Sequence, residues 1–490
     1  MKSKLKVLMV SSEVVPFAKT GGLADVVGSL PLALSKLGCE MRIALPKYKV
    51  VTESGFNLLN IDKEVNFKVG DTMQKAKIFS TKIAGVVTVY FLDHNEYYDR
   101  DGLYGTTEEG DYKDNLNRFS FFARGILELL KKIDYKPQII HCHDWQTGLI
   151  PVYLKTLYQN DPFFEGVKTL FTIHNLAYQG IFPEEEFNIT GLDEEELFTP
   201  DKLEFWEKIN LMKGALIYAD ILNTVSKGYA QEILTQEYGC GLEGVLKEKK
   251  DKLYGIINGI DYKEWDPTMD KEITMSYDIN TIDRKLKNKK ALQQENNLPV
   301  DENIPLLGMI TRLADQKGLD ILDEIIEELM DLDIQFVLLG TGEAKYHERM
   351  KQIKEKFPSK AAIHLSFDPK LAKKIYAGAD MFLMPSKYEP CGLGQLISLR
   401  YGTVPIVRAT GGLKDTITDF NPTKKIGNGF TFEEYSSQVL LSTIKRAMET
   451  FRKDKESWRR LVLNGMSADF SWEHSAKEYI DLYEKAMGGK

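Results

Sequence analysis

The sequence has few cysteines, no long apolar run and no excess of positive charge. Four of its 490 residues are cysteine and none forms a C-x-x-C pair, which argues against a disulfide framework and indicates free thiols in a reducing compartment. No apolar run approaches the roughly 18–20 residues of a membrane helix, and the beginning of the chain is typical of a first strand, not of a secretion signal. The sequence predicts a cytoplasmic protein with no membrane partner.

The balance of charge is acidic. Asp and Glu number 72 against 64 Lys and Arg, a net charge of −8. Because phosphate backbones select basic protein faces, a nucleic-acid partner is not expected. Hydrophobic residues (43%) and charged residues (28%) are in ordinary globular proportion. Single cores stop growing at roughly 250–300 residues, so two domains are predicted.

Short apolar, β-rich runs alternate with helical patterns along nearly the whole chain. This alternation is typical of βαβ units with parallel sheets covered on both faces, so the predicted fold class is α/β. The strands predicted in the first half are residues 6–11, 41–45, 88–92, 138–143, 169–174 and 221–225. Those predicted in the second half are residues 306–310, 335–339, 362–365, 381–384 and 404–407.

An Asn-Gly turn marks the predicted domain boundary. Asn258 and Gly259 follow a strand predicted at 254–257, so we assign residues 1–258 to the first domain and 259–469 to the second. The polar stretch 271–303 is then either the beginning of the second domain or a surface insertion.

A glycine pair follows the first strand and opens a helical pattern. Gly21 and Gly22 precede apolar residues at helical spacing, with Lys19 just before them. Helix N-terminal amides bind anions, and glycine allows a phosphate or sugar to approach the backbone. A packing turn beside a solvated lysine is the alternative, and the glycines alone favour it. Residues 409–415 repeat five of the seven residues of 19–25.

Charged residues follow two strands of the second half. Arg312 and Lys317 come after strand 306–310, at the strand end where open α/β sheets bind ligands, and suit phosphate. Glu389 comes after strand 381–384, beside a helix predicted to begin at Gly392 and Leu393. Its carboxylate can accept hydrogen bonds from sugar hydroxyls or merely complement the helix dipole. Solvated surface residues are the alternative for both cations.

Three histidines end two of the predicted strands. His141 and His143 lie on one face of strand 138–143, but no third and fourth metal ligands stand at useful spacing, so a structural role is favoured over zinc. His174 ends strand 169–174, at the edge of the sheet where a ligand is expected.

Five motifs taken together resemble one family. They are residues 19–23 (KTGGL), 173–176 (IHNL), 257–261 (INGID), 311–313 (TRL) with Lys317, and 389–393 (EPCGL). Their order resembles bacterial glycogen synthases and plant starch synthases over essentially the whole chain. The resemblance implies a GT-B fold, with two Rossmann-like doubly wound domains facing across a cleft and a C-terminal helix, residues 470–490, completing the first domain.

The resemblance also implies an activity. It is the retaining transfer of glucose from ADP-glucose to the non-reducing end of an α-1,4-glucan such as glycogen, with no cofactor and no metal ion. Fixed cations and backbone amides would then stabilise the departing diphosphate. Because phosphate contacts would come from both domains, we expect the domains to close on the donor.

Site residues are carried over from the family position by position. The implied catalytic residues are His174, Arg312, Lys317 and Glu389. Those implied to bind the donor are Lys19, Gly22, Asp25, Asn258, Phe367, Cys391, Gly392, Leu393, Thr410 and Gly411. Tyr104 and Asp144 are implied on the acceptor side.

Two positions depart from related sequences. Many GT-B transferases carry a second glutamate where this chain has Ile397, although the glycogen synthase branch also lacks it. Phe367 stands where a tyrosine is expected against the nucleotide base, which leaves the choice between ADP-glucose and UDP-glucose open. A noncatalytic glucan- or nucleotide-binding protein is a further alternative. Attack on the same face as departure and a covalent intermediate are both compatible with retention in this sequence.

Overall fold

The computed structural model describes residues 4–106 and 110–488, which divide into two compact units. The first unit is Met1–Val225, Ala230–Gly259 and Trp472–Lys490, and the second is Ser226–Tyr229 and Ile260–Ser471. Each unit contains a sheet of mainly or wholly parallel strands with helices. The predicted α/β fold class is confirmed.

The first unit is built on a nine-stranded sheet in the order β13-β12-β9-β8-β1-β2-β5-β4-β3. The strands from β13 to β5 are parallel, whereas β4 and β3 are antiparallel. Two small sheets pair β6 with β7 and β10 with β11. The strands are β1 (Lys6–Val10), β2 (Glu40–Pro46), β3 (Leu59–Val69), β4 (Thr72–Ile83), β5 (Val87–Asp93), β6 (Gly105–Thr106), β7 (Gly110–Asp111), β8 (Ile139–His143), β9 (Lys168–Ile173), β10 (Ile181–Pro183), β11 (Lys208–Asn210), β12 (Ile221–Thr224) and β13 (Leu253–Gly255).

Helices lie between these strands. The helix predicted after the glycine pair is present as α1, with Leu23, Val26, Val27 and Leu30 buried, because its apolar residues recur at helical spacing. The helices up to the domain boundary are α1 (Gly22–Lys36), α2 (Lys49–Glu53), α3 (Asn95–Tyr98), α4 (Asn115–Lys132), α5 (Leu149–Lys155), α6 (Glu194–Leu197), α7 (Leu211–Tyr218), α8 (Lys227–Glu232) and α9 (Glu243–Glu248).

The second unit is built on a six-stranded parallel sheet in the order β16-β15-β14-β17-β18-β19. Its strands are β14 (Leu306–Ile310), β15 (Gln335–Leu339), β16 (Ala361–His364), β17 (Met381–Met384), β18 (Val404–Arg408) and β19 (Phe430–Phe432). Its helices are α10 (Lys285–Glu295), α11 (Leu319–Asp331), α12 (Ala344–Lys356), α13 (Pro369–Gly378), α14 (Gly394–Arg400), α15 (Gly411–Thr416), α16 (Ser437–Lys453) and α17 (Lys455–Ser467).

The polar stretch 271–303 is part of the second unit's core. Leu292 of α10 and Leu298 are buried in one cluster with Leu306 of β14. Lys289 is also buried, and its ammonium lies 2.7 Å from the carboxylate of Asp380. The alternative of a surface insertion is wrong, because apolar residues and a paired lysine of this segment are buried inside the fold.

The last helix, α18 (Trp472–Ala486), belongs to the first unit. The hydroxyl of Tyr479 accepts a hydrogen bond of 3.1 Å from the amide of Asn223 on β12. The hydroxyl of Tyr483 lies 2.9 Å from Nδ1 of His141 on β8. Aromatic side chains of the C-terminus thereby form part of the first unit's core.

Candidate active site

The carboxyl ends of β1, β8 and β9 lie side by side in the first unit. β8 pairs with both of the other strands in parallel, so the residues that follow the three strands meet at one edge of the sheet. Glu13 follows β1, Asp144 follows β8 and His174 follows β9. This edge is the candidate site of the first unit.

Glu13 organises the segment in front of α1. Its carboxylate is only 4% exposed. It accepts hydrogen bonds from the backbone N–H of Thr20 at 2.5 Å and of Gly21 at 3.0 Å, and from the hydroxyl of Tyr104 at 2.8 Å. Glu13 was not among the predicted site residues. Its position three residues after the buried strand β1 is a weak signal, and its partner Tyr104 is distant in the sequence.

The N-terminus of α1 presents backbone amides beside a lysine. Gly21 is the N-cap residue and makes no side-chain capping bond. The ammonium of Lys19 lies 2.6 Å from the carboxylate of Asp25, one turn into the helix. Burial raises the pKa of Asp25, and the charge of Lys19 opposes that rise. Lys19 and Asp25 therefore lie close together at the start of α1.

The three histidines form a row of contacts. The rings of His141 and His143 stack with centroids 4.1 Å apart, and Nδ1 of His143 lies 3.0 Å from Nε2 of His174. Both ring nitrogens of His141 have protein partners, the hydroxyls of Tyr483 and Thr172. Burial lowers the pKa of all three imidazoles, that of His174 to about 3. The row is neutral at neutral pH.

Asp144 lies beside His174. Its backbone is left-handed, with φ of 54°, and its carboxylate accepts a 2.7 Å hydrogen bond from the N–H of His174. Burial raises the pKa of Asp144 to about 7, against the lowering effect of that hydrogen bond. An aspartate with this pKa exchanges a proton near neutrality.

Asn258 follows β13, farther along the sheet. It is buried, and its side-chain oxygen accepts no hydrogen bond from any of the described residues. A buried carbonyl oxygen without a donor is uncommon, and a ligand hydroxyl or amide would satisfy it.

The second unit has a candidate site of its own, where β14 and β17 are neighbours. The ammonium of Lys317, after β14, lies 2.6 Å from Oε2 of Glu389, after β17. The hydroxyl of Ser386 donates to the same oxygen at 3.0 Å. Glu389 is 6% exposed. Arg312 is exposed and donates to the side-chain oxygen of Gln316 at 3.0 Å.

Glycines allow the loops around this pair to touch. A Cβ on Gly318 would lie 2.1 Å from the carbonyl oxygen of Pro385, and a Cβ on Gly412 would lie 2.1 Å from that of Cys391. The side chain of any other residue would clash with these carbonyl oxygens. Gly318 allows the loop after β14 to contact the loop after β17. Gly412 allows the loop after β17 to contact the N-terminus of α15, where Gly411 is the first residue and Thr410 is the N-cap.

One detail of the prediction is wrong at this loop. The helix expected to begin at Gly392 and Leu393 begins at Gly394. Gly392 has φ of 74°, a left-handed conformation that a right-handed helix does not continue through. The amides of Cys391, Gly392 and Leu393 therefore belong to the turn before α14. The side-chain amide of Gln395 fixes that turn by donating to the Cys391 carbonyl at 3.0 Å.

Phe367 and Ile397 occupy contrasting positions. Phe367 lies between β16 and α13 with 83% of its surface exposed, so its ring is accessible for stacking. Ile397 lies in α14 and is buried. The position where many relatives carry a second glutamate is a core position in this chain.

No cluster of three or more histidine, cysteine, aspartate or glutamate side chains is placed to hold a metal ion within residues 4–106 and 110–488. In the same part of the chain, every helix is too short or too polar to cross a bilayer.

The family models that match this chain cover both units. The starch synthase catalytic domain matches residues 6–248, and the model for group 1 glycosyl transferases matches residues 289–461. A glycogen synthase of Desulforudis audaxviator is 49% identical and covers 99% of this chain and 97% of its own. One from Moorella thermoacetica is 48% identical, covering 99% and 98%.

Solved structures agree with these matches. The catalytic domain of starch synthase IV from Arabidopsis thaliana, bound to ADP and acarbose, superposes with a TM-score of 0.89 at 36% identity and covers 99% of this chain and 100% of its own. A sucrose-phosphate synthase from Thermosynechococcus elongatus, at 17% identity, 99% and 100% coverage and a TM-score of 0.62, shares the fold. The chain therefore belongs to the glycogen synthase and starch synthase family of glycosyltransferases, whose members use a nucleotide-sugar donor and a glucan acceptor.

Proposed function

We propose that this protein transfers glucose from ADP-glucose to the non-reducing end of an α-1,4-glucan, with retention of the anomeric configuration. The observation that carries the proposal is the likeness over 99% of the chain to a starch synthase solved with ADP bound. The free thiols of all four cysteines support a reducing, cytoplasmic setting for the reaction.

The diphosphate of the donor is assigned to three cations. Breaking the bond between glucose and diphosphate builds negative charge on the leaving oxygen, and fixed positive groups stabilise that charge without reorganising. Lys19 stands beside the open amides of α1, and Arg312 and Lys317 follow β14. Of these, Lys317 is held most firmly, because its partner Glu389 is buried.

Glucose is assigned to Glu389 and the turn that follows it. The ion pair with Lys317 and the bond from Ser386 fix one carboxylate oxygen, which orients the group to accept hydrogen bonds from sugar hydroxyls. Backbone groups of Cys391, Gly392 and Leu393 would contact the same sugar or phosphate. Thr410 and Gly411, at the N-terminus of α15, are assigned to the donor on the same grounds.

His174 is assigned to the space beneath the anomeric carbon. The transition state carries positive charge on the sugar, which an imidazolium would repel. Burial keeps the pKa of His174 near 3, so at neutral pH the ring adds no repulsion. This is a physical reason for a buried histidine row at this edge of the sheet.

The acceptor is assigned to Asp144 and Tyr104. Near its pKa of about 7, the Asp144 carboxyl can accept a hydrogen bond from a sugar hydroxyl or donate one. Tyr104 is fixed by its bond to Glu13. Asp25, Asn258 and Phe367 complete the assignment, with Phe367 stacking on the nucleotide base.

Competition between donors tests the proposal. Purified protein would be given labelled ADP-glucose or UDP-glucose with glycogen, and incorporation would be followed with Glu389→Ala as the inactive control. We expect incorporation chiefly from ADP-glucose. Preference for UDP-glucose would assign a different donor, and no incorporation from either would favour a noncatalytic binding protein.

A further inference from the structure

An exposed aromatic surface lies in the first unit, near the edge that carries His174. We call it the Trp206 platform and define it as the exposed residues Tyr178, Ile181 and Trp206, with the buried Phe205 packed against the indole of Trp206. Trp206 is 74% exposed and Tyr178 is 53% exposed. Ile181 lies on β10, which pairs with β11 directly after the turn that carries Trp206, and exposed apolar groups on neighbouring segments indicate contact with a ligand or a partner.

The platform's indole is presented by a strained turn. Phe205 and Lys208 exchange backbone hydrogen bonds of 2.7 and 3.2 Å, which closes a two-residue hairpin turn. The two residues within it, Trp206 and Glu207, have φ of 50° and 59°. Asparagine and glycine are the residues that suit such positions. A bulky side chain held there points to a function that outweighs the local strain.

The indole is also packed in one orientation. Its ring centroid lies 4.4 Å from that of Phe205. At Gly241 a Cβ would lie 2.8 Å from Cη2 of Trp206, so the missing side chain makes room for the ring. A rigid aromatic face loses little conformational entropy when a ligand stacks on it.

Hydrogen bonds connect the platform to the candidate site. Gln179 accepts from the side-chain amide of Asn210 at 2.6 Å and donates to the carbonyl of Cys240 at 3.0 Å. These bonds connect the segment after His174 to β11, which follows the hairpin turn, and to the loop that contains Cys240. The N–H of Tyr178 donates to the carbonyl of Asn175, the residue next to His174, at 3.2 Å.

The chemistry of the surface indicates its ligand. The C–H groups on the faces of a pyranose ring pack well against an aromatic ring, whereas the flanking residues Glu204 and Glu207 are acidic and disfavour an anion. We propose that the Trp206 platform binds a distal part of the acceptor α-glucan, as a subsite beyond Asp144 and Tyr104. This inference rests on the proposed function.

Trp206→Asn tests the platform, because asparagine tolerates the left-handed backbone. We expect the KM for glycogen to rise about three- to tenfold, because one aromatic stacking contact is lost. Retardation of the protein in a native gel containing glycogen should weaken, while the melting temperature should not fall. Trp206→Tyr should restore most of the retardation. Val86→Ala, in an exposed turn of the same unit, should match the parent.

Two results would overturn the inference. One is a Trp206→Asn variant with the parent's KM and the parent's retardation in glycogen gels. The other is a variant that changes only the self-association of the protein, which would make the platform a contact between copies. Gel retardation needs no turnover. The platform can therefore be tested even if the parent transfers no glucose, an outcome that would contradict the proposed function alone.

Discussion

The ammonium of Lys317 and the carboxylate of Glu389 lie 2.6 Å apart, at the ends of two neighbouring strands. Glu389 is buried, and its carboxylate has its hydrogen bonds from this partner and from Ser386. The pair therefore serves the folding of the second unit as well as the proposed chemistry.

Lys317→Ala should reduce both stability and transfer. Removing one partner of a buried ion pair leaves the other charge uncompensated, and we expect a loss of about 3 kcal/mol in the free energy of unfolding. Urea denaturation measures it. Lys345→Ala is the matched control, because its pair with Asp315 is exposed on both sides and its loss should leave stability unchanged. Equal losses of stability in the two variants would contradict the claim that the Lys317–Glu389 pair stabilises the second unit.

Glu13→Gln should weaken donor binding. A glutamine offers one oxygen and an N–H group to donors that Glu13 satisfies with two oxygens, and an unsatisfied buried donor costs about 1–3 kcal/mol. We expect a higher KM for the donor, measured by initial rates. Tyr104→Phe is the control that removes only one bond to Glu13, and it should shift this KM less. A Glu13→Gln variant with the parent's KM would show that the segment before α1 needs no carboxylate.

Gly412→Ala should disrupt the candidate site of the second unit. The new Cβ would meet the carbonyl oxygen of Cys391 at 2.1 Å, so the turn around Glu389 must move. We expect a lower melting temperature together with lost transfer. Gly244→Ala in α9 is the matched control, since its Cβ meets nothing within 4 Å, and alanine should stabilise the helix by about 0.5–1 kcal/mol. A tolerated Gly412→Ala would contradict the packing described for this turn.

The histidine row predicts a loss of stability in mild acid. The pKa of His174 is about 3 in the folded protein, and those of His141 and His143 are also lowered. An unfolded histidine has a pKa near 6.5. Below that pH the unfolded chain takes up protons that the folded chain does not, so the free energy of unfolding falls by up to about 1.4 kcal/mol per pH unit for each histidine.

Asp144 has the opposite effect on the pH dependence of stability. Its pKa is raised to about 7 in the folded protein, so between pH 7 and about 4 the folded chain holds a proton that the unfolded chain has lost. Burial also raises the pKa of Asp25, and two carboxyl groups offset at most two of the three imidazoles, so a net decrease remains. Urea denaturation at pH 7.5, 6.5 and 5.5 measures it. His174→Asn should flatten the dependence, and an unchanged slope in that variant would contradict a neutral, buried His174.

The fold was predictable where the sequence signal is local. Parallel strands buried on both faces are continuous apolar runs, and α1 has its apolar residues at helical spacing, so these elements were found. The antiparallel strands β3 and β4 were missed because only some of their side chains are buried, among longer polar stretches. The three-residue strand β19 is too short to give a pattern.

The candidate site was predictable only in part. Residues that follow strands, such as Lys317 and Glu389, can be found from the sequence because strand ends bind ligands. That these two pair directly depends on which strands are neighbours, and no local pattern contains that. Glu13 was missed because its partner Tyr104 is 91 residues away. The need for glycine at position 412 likewise cannot be predicted, because it depends on the contact with the carbonyl of Cys391.

The central claim is that the protein's own cations stabilise the departing diphosphate. The most direct measurement is transfer of labelled glucose from ADP-glucose to glycogen, with a chelator present throughout, by the parent and by an Arg312→Ala/Lys317→Ala double variant of confirmed folding. We predict full transfer by the parent and a loss of at least about 100-fold in kcat in the variant. Transfer by the variant at the parent's rate, or arrest of the parent by the chelator, would contradict the claim.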